Sequence, residues 1–376
     1  MANKIFKSVF AIALIPIAIG ILFSACNNKT DTIKIGSTLD LTGPNAVYGE
    51  QVRQGLDLAI DEVNKGGGIG GMQVEIKYLD SKSDAKTAVT NTQQLISVNG
   101  SKILIGEISS SATQAMIPVV EQNKAFLFAP ASSSPKLTNI SKSFARNWPS
   151  DVAEAGSAAQ FAKTNFMAAT AAIIYVNSDY GLGLKEKFTQ VFEGAGGKVV
   201  SFEPYAVDAT DFKTVLLKVK AANPDCIYLA GNPKEMGACI KQLRENNLTS
   251  KIISNTGFFQ NDCLSLAGSA ANGVIVPTPE YNPADSTKQS IFSFYKKFKA
   301  KYNTEPTMVN ANAYDAIYLI KEAIEKQGYD ALKIGEYIRN KKSFEGATGV
   351  VNFTDGDVEV GIVFMIIENG KPIKYK

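Results

Sequence analysis

The chain has 376 residues, 45% of them hydrophobic and 20% charged, and its formal net charge is +3. These values are typical of a globular protein long enough for two domains; they exclude a disordered chain, and a charge balance so close to neutral provides no basic stripe for nucleic acid. Histidine is absent, which removes the Ser-His-Asp and Cys-His catalytic groups, histidine-ligated zinc and haem, and the commonest general base. We therefore expect a binding protein that is not an enzyme and uses no cofactor or metal.

Residues 1–25 have the features of an export signal. Two lysines precede the apolar run VFAIALIPIAIGILF, which a proline and a glycine interrupt and which is short for a membrane span. The residues LFSAC at 22–26 resemble the lipobox of bacterial lipoproteins. We expect a lipoprotein signal peptide, cleavage before Cys26, acylation of this cysteine and a polar tether over 26–32. The alternative is a retained N-terminal membrane anchor.

The stretch KGGGIGG at 65–71 contains the Gly-x-Gly-x-x-Gly spacing of dinucleotide-binding loops. Such a loop binds phosphate only where it follows a strand and opens a helix, because the free N–H groups lie at a helix N-terminus. Here the preceding YGEQVRQGLDLAIDEVN has helical periodicity, and the following MQVEIKYLD alternates as a half-buried strand does. The glycines are therefore predicted to end a helix and reverse the chain into a strand.

Runs typical of strands alternate with amphipathic helices along the rest of the chain. A first set is IKIGSTL, MQVEIKYL, SKILIG and AFLFAP, and a second is AAIIYV, GKVVSFEPY, DCIYLAG, KIISN and GVIVPT. The alternation predicts two parallel sheets covered by helices, and the polar segment FARNWPSDVAEAG between the sets is predicted to be a hinge. Helical patterns then follow at QSIFSFYKKFKAKY, NANAYDAIYLIKEAIEKQ and ALKIGEYIRNK, with strands at GVVNF and VGIVFMIIENG. This return to helices and strands indicates two lobes that share segments, with a ligand cleft where their strands end.

Three cysteines follow Cys26 in the sequence, namely Cys226, Cys239 and Cys263. An exported protein could pair two of them, but an odd number leaves at least one thiol free, and their spacings match no metal motif. Cys226 lies in the apolar run CIYLAG, where it is expected to be a small buried side chain.

The opening IKIGSTLDLTGPNAVYGEQVRQGLDLAIDEVNKGGGIGGMQVEIKYLDSKSD resembles that of periplasmic solute-binding proteins of the Leu/Ile/Val type, which serve ABC importers. The resemblance continues through ILIGEISSSATQAMIPVVEQNKAFLFAPASSSPKLT, AAIIYVNSDYGLGL and YDAIYLIKEAI. It implies the α/β type I periplasmic-binding-protein fold, in which two doubly wound lobes are joined by three crossovers with the ligand cleft between them. The expected boundaries are 31–149 plus 280–352 for the first lobe and 150–279 plus 353–376 for the second.

The resemblance also implies partners and a location. A small-molecule ligand and an ABC permease in the membrane are expected, and nucleic acid is not. The protein is expected to be a monomer outside the cytoplasm, held to the membrane only through its N-terminal lipid.

Several ligand positions of the family have counterparts in this sequence. Ser110 in GEISSSATQ, with Ser111 as the alternative, is expected to offer a hydroxyl to the carboxylate of the ligand. Ala131 and Ser133 in APASSSP are expected to provide backbone groups and a second hydroxyl. Serine-rich helix N-termini suit a carboxylate because they present uncompensated N–H and O–H donors, although the same serines also serve as helix caps.

Aromatic residues are expected to close over the side chain of the ligand. Tyr48, Tyr180 and Tyr314 match family positions with this role, and tyrosine suits a mouth that is apolar at one end and wet at the other. A core role is the alternative for Tyr314, because it lies on an amphipathic helix. Trp148, in the predicted hinge, either contacts the ligand or packs the crossover.

The sequence departs from the family where the ligand's ammonium is held. Amino-acid binders of this type use a glutamate after the fourth strand of the second lobe and an aromatic residue in the loop after the preceding strand. Here Phe258 is near the glutamate position and Asn232 near the aromatic one. Because a buried ammonium without a charged partner is costly, either Asp262 or Glu235 replaces the glutamate or the ligand has no ammonium.

The expected ligand is therefore a small carboxylate-bearing solute, either a branched-chain or related amino acid or, as the alternative, a keto acid, an aromatic acid or an amide. A role as a ligand sensor for a signalling partner is a further alternative. If Phe258 lines the cleft, a deaminated ligand is expected to bind at least as tightly as its α-amino counterpart.

Overall fold

The computed structural model describes residues 32–376, so the predicted signal peptide and Cys26 lie outside the described part of the chain. The described residues fold into two α/β lobes. The alternation of strands and helices that the sequence pattern predicts is present in both lobes.

The first lobe begins with alternating strands and helices. In chain order these are β1 (Ile33–Leu39), α1 (Ala46–Lys65), β2 (Val74–Asp80), α2 (Ala85–Ser97), β3 (Ile103–Ile105), α3 (Ser110–Gln122), β4 (Phe126–Ala129) and β5 (Phe144–Arg146). The strands are parallel and lie in the order β2-β1-β3-β4-β5. Every residue of β3 and β4 is buried, as expected for a parallel sheet with helices on both faces.

The glycine-rich stretch lies between α1 and β2, which confirms the predicted order of helix, glycines and strand. Gly67 and Gly68 have φ angles of +98° and +81°, values that L side chains rarely adopt. A Cβ atom on Gly68 would lie 2.0 Å from the carbonyl oxygen of Met72. These glycines therefore allow a tight reversal of the chain.

The second lobe repeats the same plan. Its elements up to the next crossover are α4 (Asp151–Thr164), β6 (Thr170–Val176), α5 (Asp179–Gly194), β7 (Lys198–Tyr205), α6 (Lys213–Ala222), β8 (Cys226–Ala230), α7 (Pro233–Glu245), β9 (Lys251–Ser254), α8 (Asn261–Ala267) and β10 (Ile275–Pro279). The parallel strands lie in the order β7-β6-β8-β9-β10, which is the same winding as in the first lobe. In a sheet with this strand order, the direction in which successive strands are added reverses beside the first strand, which is β1 in one lobe and β6 in the other. A crevice for a ligand opens at that point.

The chain then returns to the first lobe before it ends in the second. The returning elements are α9 (Gln289–Tyr302), α10 (Met308–Gln327), α11 (Ala331–Arg339) and the short strands β11 (Phe344–Gly346), β12 (Gly349–Val351), β13 (Phe353–Thr354) and β14 (Asp357–Val358). Helix α10 packs along α1 with Ile317, Leu319 and Ile320 fully buried. The last strands, β15 (Ile362–Glu368) and β16 (Lys371–Lys374), extend the second sheet in antiparallel fashion beyond β10.

The chain thus passes between the lobes three times within the described residues, at 147–150, 280–288 and 359–361. The last crossover comes later than expected from the sequence. The expected boundary puts residues 353–358 in the second lobe, but Phe353 is buried in the core of the first lobe, and Asp357 pairs with Arg146 of β5 at 2.7 Å. This salt bridge and the burial of Phe353 hold the β13–β14 hairpin on the first lobe.

The predicted hinge segment FARNWPSDVAEAG is only partly a connection. Residues 144–146 form β5, and α4 begins at Asp151, so the crossover is confined to 147–150. Ser150 caps α4 by accepting a hydrogen bond from the backbone N–H of Val152. The helix start places acidic side chains of its first turn beside the cleft.

Cys226, Cys239 and Cys263 are buried as free thiols, and no pair of them within the described residues forms a disulfide. Burial raises the pKa of each thiol, so these cysteines have the character of small apolar side chains. None of the helices in residues 32–376 is long and apolar enough to span a membrane.

Candidate functional site

A cavity of about 120 Å³ lies between the lobes, at the carboxyl ends of both sets of parallel strands. Its walls come from loops that follow β1, β3 and β4 in the first lobe and β6, β8 and β9 in the second. The predicted residues Tyr48, Ser110, Ala131, Ser133, Tyr180 and Asn232 all line it. The structure thus brings together six of the eight predicted ligand-binding residues.

The other two predicted residues lie elsewhere. Phe258 is fully buried in the core of the second lobe, within the 3-10 turn Thr256–Phe259, whereas Thr256 and Gly257 of the same turn line the cavity. The tight turn directs Phe258 into the core, so the expectation that it lines the cleft is wrong.

Tyr314 lies on α10 and faces α1 and α9, and its hydroxyl donates to the carboxylate of Glu62 at 2.8 Å. Lys297 and Tyr318 also contact this hydroxyl, each at 3.2 Å. Tyr314 therefore belongs to a polar network within the first lobe, and the alternative of a structural role is the one that its contacts support.

The serine loops of the first lobe form one end of the cavity. Ser110 is the first residue of α3, and its hydroxyl oxygen accepts a hydrogen bond from the N–H of Ser134 at 3.1 Å. Its hydroxyl proton remains available to donate, because a serine hydroxyl accepts and donates at once. Ser109 caps the helix and also lines the cavity. A helix N-terminus with a free hydroxyl is suited to a carboxylate.

Ser111, the alternative to Ser110, has a different role. Its hydroxyl accepts a hydrogen bond from the N–H of Asp179 at 3.3 Å, which joins α3 of the first lobe to α5 of the second. The side chain of Lys136 pairs with the same Asp179 at 2.7 Å. Gln51 donates to Gln260 at 3.0 Å at another point of the same interface. These contacts hold the two lobes together around the cavity.

The cavity wall of the second lobe contains two carboxyl groups that the sequence analysis did not assign. Asp151 and Glu154 lie in the first turn of α4 and line the cavity, and they are only 2% and 5% exposed. Thr256 donates to both oxygens of Glu154, from its backbone N–H at 2.6 Å and from its hydroxyl at 2.9 Å. By contrast, Asp151 Oδ2 is buried without a hydrogen-bond partner among the described residues.

The surroundings of these acids favour their protonated forms. Burial raises the pKa of Asp151 to about 7, although a hydrogen bond from Ser133 and the charge of Arg146 oppose the shift. Burial likewise raises the pKa of Glu154 to about 8; the negative charge of Asp151 adds to the shift and the two Thr256 hydrogen bonds oppose it.

No free positive charge balances the pair. Among the residues of 32–376 that line the cavity, none is a lysine or an arginine. Arg146 is the cation that acts on Asp151, but it is fully buried, pairs with Asp357 at 2.7 Å and donates to the carbonyl of Ser134 at 2.8 Å. The cavity is therefore suited to a ligand that brings its own positive charge.

The acids predicted to replace the family's glutamate do not line the cavity. Asp262 is exposed on α8. Glu235 is buried, but its Oε1 accepts hydrogen bonds from the N–H of Asp208 at 2.9 Å and from the side chain of Asn232 at 3.3 Å. Glu154 instead reaches the loop after β9 from the neighbouring helix and is held there by Thr256.

Aromatic side chains cover the apolar part of the cavity. Tyr48, Tyr180 and Trp148 line it, and the hydroxyl of Tyr180 accepts a hydrogen bond from the side chain of Asn255 at 2.5 Å. Burial raises the pKa of Tyr48 and of Tyr180, so both hydroxyls stay protonated. Trp148, which is 9% exposed in the first crossover, contacts the cavity and also packs against the core of the first lobe.

Comparison with known proteins identifies the family to which the chain belongs. Residues 32–371 match the periplasmic binding protein family. The chain is 29% identical over 340 residues to the leucine-, isoleucine-, valine-, threonine- and alanine-binding protein of Pseudomonas aeruginosa, with 90% of each chain covered. It is 28% identical over 351 residues to a Leu/Ile/Val-binding protein homolog of Brucella suis, with 91% of this chain and 92% of the relative covered.

Solved structures show the same architecture. A leucine-binding protein, LivK, from Thermotoga maritima superposes with a TM-score of 0.86 at 29% identity, covering 92% of this chain and 98% of that one. The substrate-binding protein LivJ of Streptococcus pneumoniae, in complex with isoleucine, gives 0.82 at 26% identity, with coverages of 91% and 97%. A solute-binding protein of R. palustris in complex with benzoate gives 0.81 at 21% identity, with coverages of 91% and 95%, and shares the fold. The chain therefore belongs to the periplasmic binding protein family, has its type I fold, and falls among substrate-binding proteins of ABC transporters, which are not enzymes.

Proposed function

We propose that this protein is an extracytoplasmic receptor that closes its two lobes on a small α-amino acid and delivers it to an ABC permease. The observation that carries this proposal is the position of Asp151, whose Oδ2 is buried in the cavity wall without a partner among the described residues. A buried carboxyl oxygen without a partner is costly, and a ligand ammonium would supply that partner.

The two charged groups of an amino acid find complementary ends in the cavity. Its carboxylate would lie at the start of α3 and on the loop after β4, where Ser110, Ala131 and Ser133 line the wall. Its ammonium would lie at the start of α4, against Asp151 and Glu154. Because these ends belong to different lobes, a zwitterion bridges them and favours the closed form.

The size and lining of the cavity favour a small aliphatic side chain. A cavity of about 120 Å³ matches the scale of a single small solute. Tyr48, Trp148 and Val309 provide apolar surface for the side chain of the ligand. Relatives whose names specify leucine, isoleucine and valine support the same class of ligand.

The amino acid is favoured over the keto acid because of the carboxyl groups. The opposite expectation depended on Phe258 lining the cleft, and Phe258 lies in the core instead. A keto acid has no ammonium and would bring its negative charge into a cavity that already contains two acids and no lysine or arginine among the described lining residues.

Calorimetry on ligand-free protein tests this function. The protein is unfolded to release bound molecules, which are identified by mass spectrometry, and is then refolded. It is titrated with L-leucine, L-isoleucine, L-valine, L-threonine and L-alanine and with 4-methyl-2-oxopentanoate, the keto acid that matches leucine. We expect at least one of the amino acids to bind in the micromolar range or tighter and to bind more tightly than the keto acid. Binding of the keto acid alone would overturn the proposal.

We further propose that the receptor is a monomer anchored through acylated Cys26. The lipobox residues LFSAC at 22–26 support this anchor. Intact mass of membrane-extracted protein should show loss of residues 1–25 and a gain of acyl chains. An unprocessed chain, or a soluble form cut at another position, would contradict the anchor.

A further inference from the structure

We propose that ligand capture is coupled to proton release: Asp151 and Glu154 together hold a proton in the ligand-free cleft and give it up when the ammonium of the ligand enters. This inference depends on the proposed amino-acid function. It goes beyond that function because it predicts how affinity changes with pH. The affinity rises with pH for an amino acid and falls for a keto acid.

The two acids lie on the same face of the first turn of one helix. They are three residues apart in the first turn of α4, and side chains at this spacing are neighbours on a helix surface. Both line the cavity and both are almost completely enclosed. Two negative charges so close together in an enclosed site repel each other strongly, so a shared proton is the less costly state.

The groups that face the pair from other elements leave this charge unbalanced. Arg146 of β5 pairs with Asp357, and Ser133 and Thr256 provide neutral hydrogen-bond donors. Tyr48 of α1, Tyr180 of α5 and Tyr228 of β8 also face the pair, and burial raises the pKa of each, so they stay neutral. Within the described part of the site, the carboxyl pair is therefore the group that changes charge near neutral pH.

When the ammonium of the ligand enters, the ionised state of the carboxyl pair becomes the favoured one. The ammonium keeps its three protons and donates hydrogen bonds to the carboxylates, while the carboxyl proton leaves to bulk water. With pKa values of about 7 for Asp151 and about 8 for Glu154, the ligand-free pair holds about one proton between pH 7 and 8. The bound ammonium stabilises the charged carboxylates and lowers both pKa values, so up to about one proton is released for each ligand bound.

The linkage gives opposite pH dependences for matched ligands. Release of one proton makes the affinity for an amino acid rise about tenfold for each pH unit, until the pair is fully ionised in the free protein. A keto acid carries only a negative charge and binds better to the protonated pair. Its affinity therefore falls as the pH rises through the same range.

A second pair of buried acids lies in the first lobe, and the experiment must separate any protons that it releases from those of the α4 acids. In the first lobe, the hydroxyl of Ser81 bridges Asp40 at 2.8 Å and Glu107 at 2.6 Å, and burial raises the pKa of both acids. Neither acid lines the cavity. Protons released from that pair would persist when the α4 acids are replaced.

The test is calorimetric titration of the refolded, ligand-free protein with L-leucine near pH 7.5, in phosphate and in Tris. The two buffers differ in ionisation enthalpy, so the difference in heat counts the protons released. We expect about one proton for each leucine and an affinity that rises between about pH 6 and pH 8. In the same range the affinity for 4-methyl-2-oxopentanoate is expected to fall.

Glu154→Gln is expected to reduce the proton count by at least half, and Asp262→Asn, which changes an exposed carboxyl group outside the cavity, is the matched control with an unchanged count. Tight leucine binding without proton release would overturn the coupling and leave the proposed function intact. The same conclusion would follow if Glu154→Gln released as many protons as the unmodified protein. If none of the amino acids binds, both proposals fail.

Discussion

Thr256 holds Glu154 at both oxygens of its carboxylate, through the backbone N–H at 2.6 Å and the hydroxyl at 2.9 Å. Thr256 lies in the loop after β9, where related amino-acid binders are expected to carry a glutamate, whereas Glu154 belongs to α4. On this side of the cleft the acid thus comes from α4 and not from the loop after β9. Thr256 of that loop orients it. Under the proposed function, this arrangement supplies an acid for the ammonium although that loop contains none.

Thr256→Val is expected to weaken leucine binding about tenfold. The substitution keeps the side chain's shape and the backbone N–H but removes the hydroxyl that orients Glu154, and a hydrogen bond to a charged group contributes about 1.5–3 kcal/mol. Calorimetry gives the affinity, and Thr164→Val, which changes an exposed threonine at the end of α4, is the matched control. Equal affinities for the two variants would show that the Thr256 hydroxyl does not position the acid.

Tyr314→Phe and Tyr48→Phe remove the same atom from two tyrosines that the sequence predicts as ligand contacts. Tyr314→Phe should leave leucine affinity unchanged and reduce the free energy of unfolding by about 1 kcal/mol, because its hydroxyl bonds to Glu62 inside the first lobe. Tyr48→Phe should weaken binding several-fold, because Tyr48 lines the cavity between the lobes and burial keeps its hydroxyl protonated there. Denaturant titration and calorimetry separate the two effects. A loss of affinity in Tyr314→Phe alone would contradict these placements.

The parts of the site that the sequence predicts are those fixed by the ends of strands. The family resemblance implies Ser110 and Ser133, and both follow strands, β3 and β4, that the alternating pattern locates at the edge of the sheet where a cleft opens. The helical pattern likewise predicts α10, but periodicity alone does not show that Tyr314 faces α1 and Glu62.

The acids of α4 were missed for a physical reason. Asp151 and Glu154 lie in the first turn of a helix, where acidic residues are common because they complement the helix dipole. In the sequence they are indistinguishable from such residues, and the polar character of the segment that contains them favours the interpretation as a hinge. The contrast between Thr256, in the cavity wall, and Phe258, in the core, depends on a 3-10 turn that local residue types do not specify.

Lys136→Ala is expected to weaken ligand binding two- to fivefold. The pair with Asp179 joins the first lobe to the start of α5, but both side chains are about one-third exposed or more, at 40% and 33%, and exposed ion pairs contribute at most about 1 kcal/mol. The loss should shrink at high salt, because salt screens an exposed pair. Small-angle scattering should also show a more open ligand-free form. Lys124→Ala, which removes an exposed lysine of the first lobe, is the control. The same affinity for both variants at low salt would show that the pair does not stabilise closure.

As the pH rises from about 4.5 to about 8, the ligand-free protein is expected to lose stability. The pKa values of Asp151 and Glu154 are raised from 3.8 and 4.5 in the unfolded chain to about 7 and about 8, so the folded state binds more protons than the unfolded state in this window. Stability then falls as the pH rises, by at most about 1.4 kcal/mol per pH unit for each extra proton bound. Thermal midpoints should decrease accordingly, and Glu154→Gln should flatten the decrease. A midpoint that rises across this window would contradict the raised pKa values.

The most direct test of the account compares Asp151→Asn with the unmodified protein, using calorimetry with L-leucine and 4-methyl-2-oxopentanoate. Asparagine preserves the shape of Asp151 but cannot carry its charge, so leucine affinity should fall by about 100-fold or more, whereas keto-acid affinity should stay within a few-fold or improve. An unchanged thermal midpoint in the presence of the keto acid shows that the variant is folded. If the folded variant binds leucine as tightly as the unmodified protein, or loses both ligands equally, then Asp151 does not recognise the ammonium and the account is wrong.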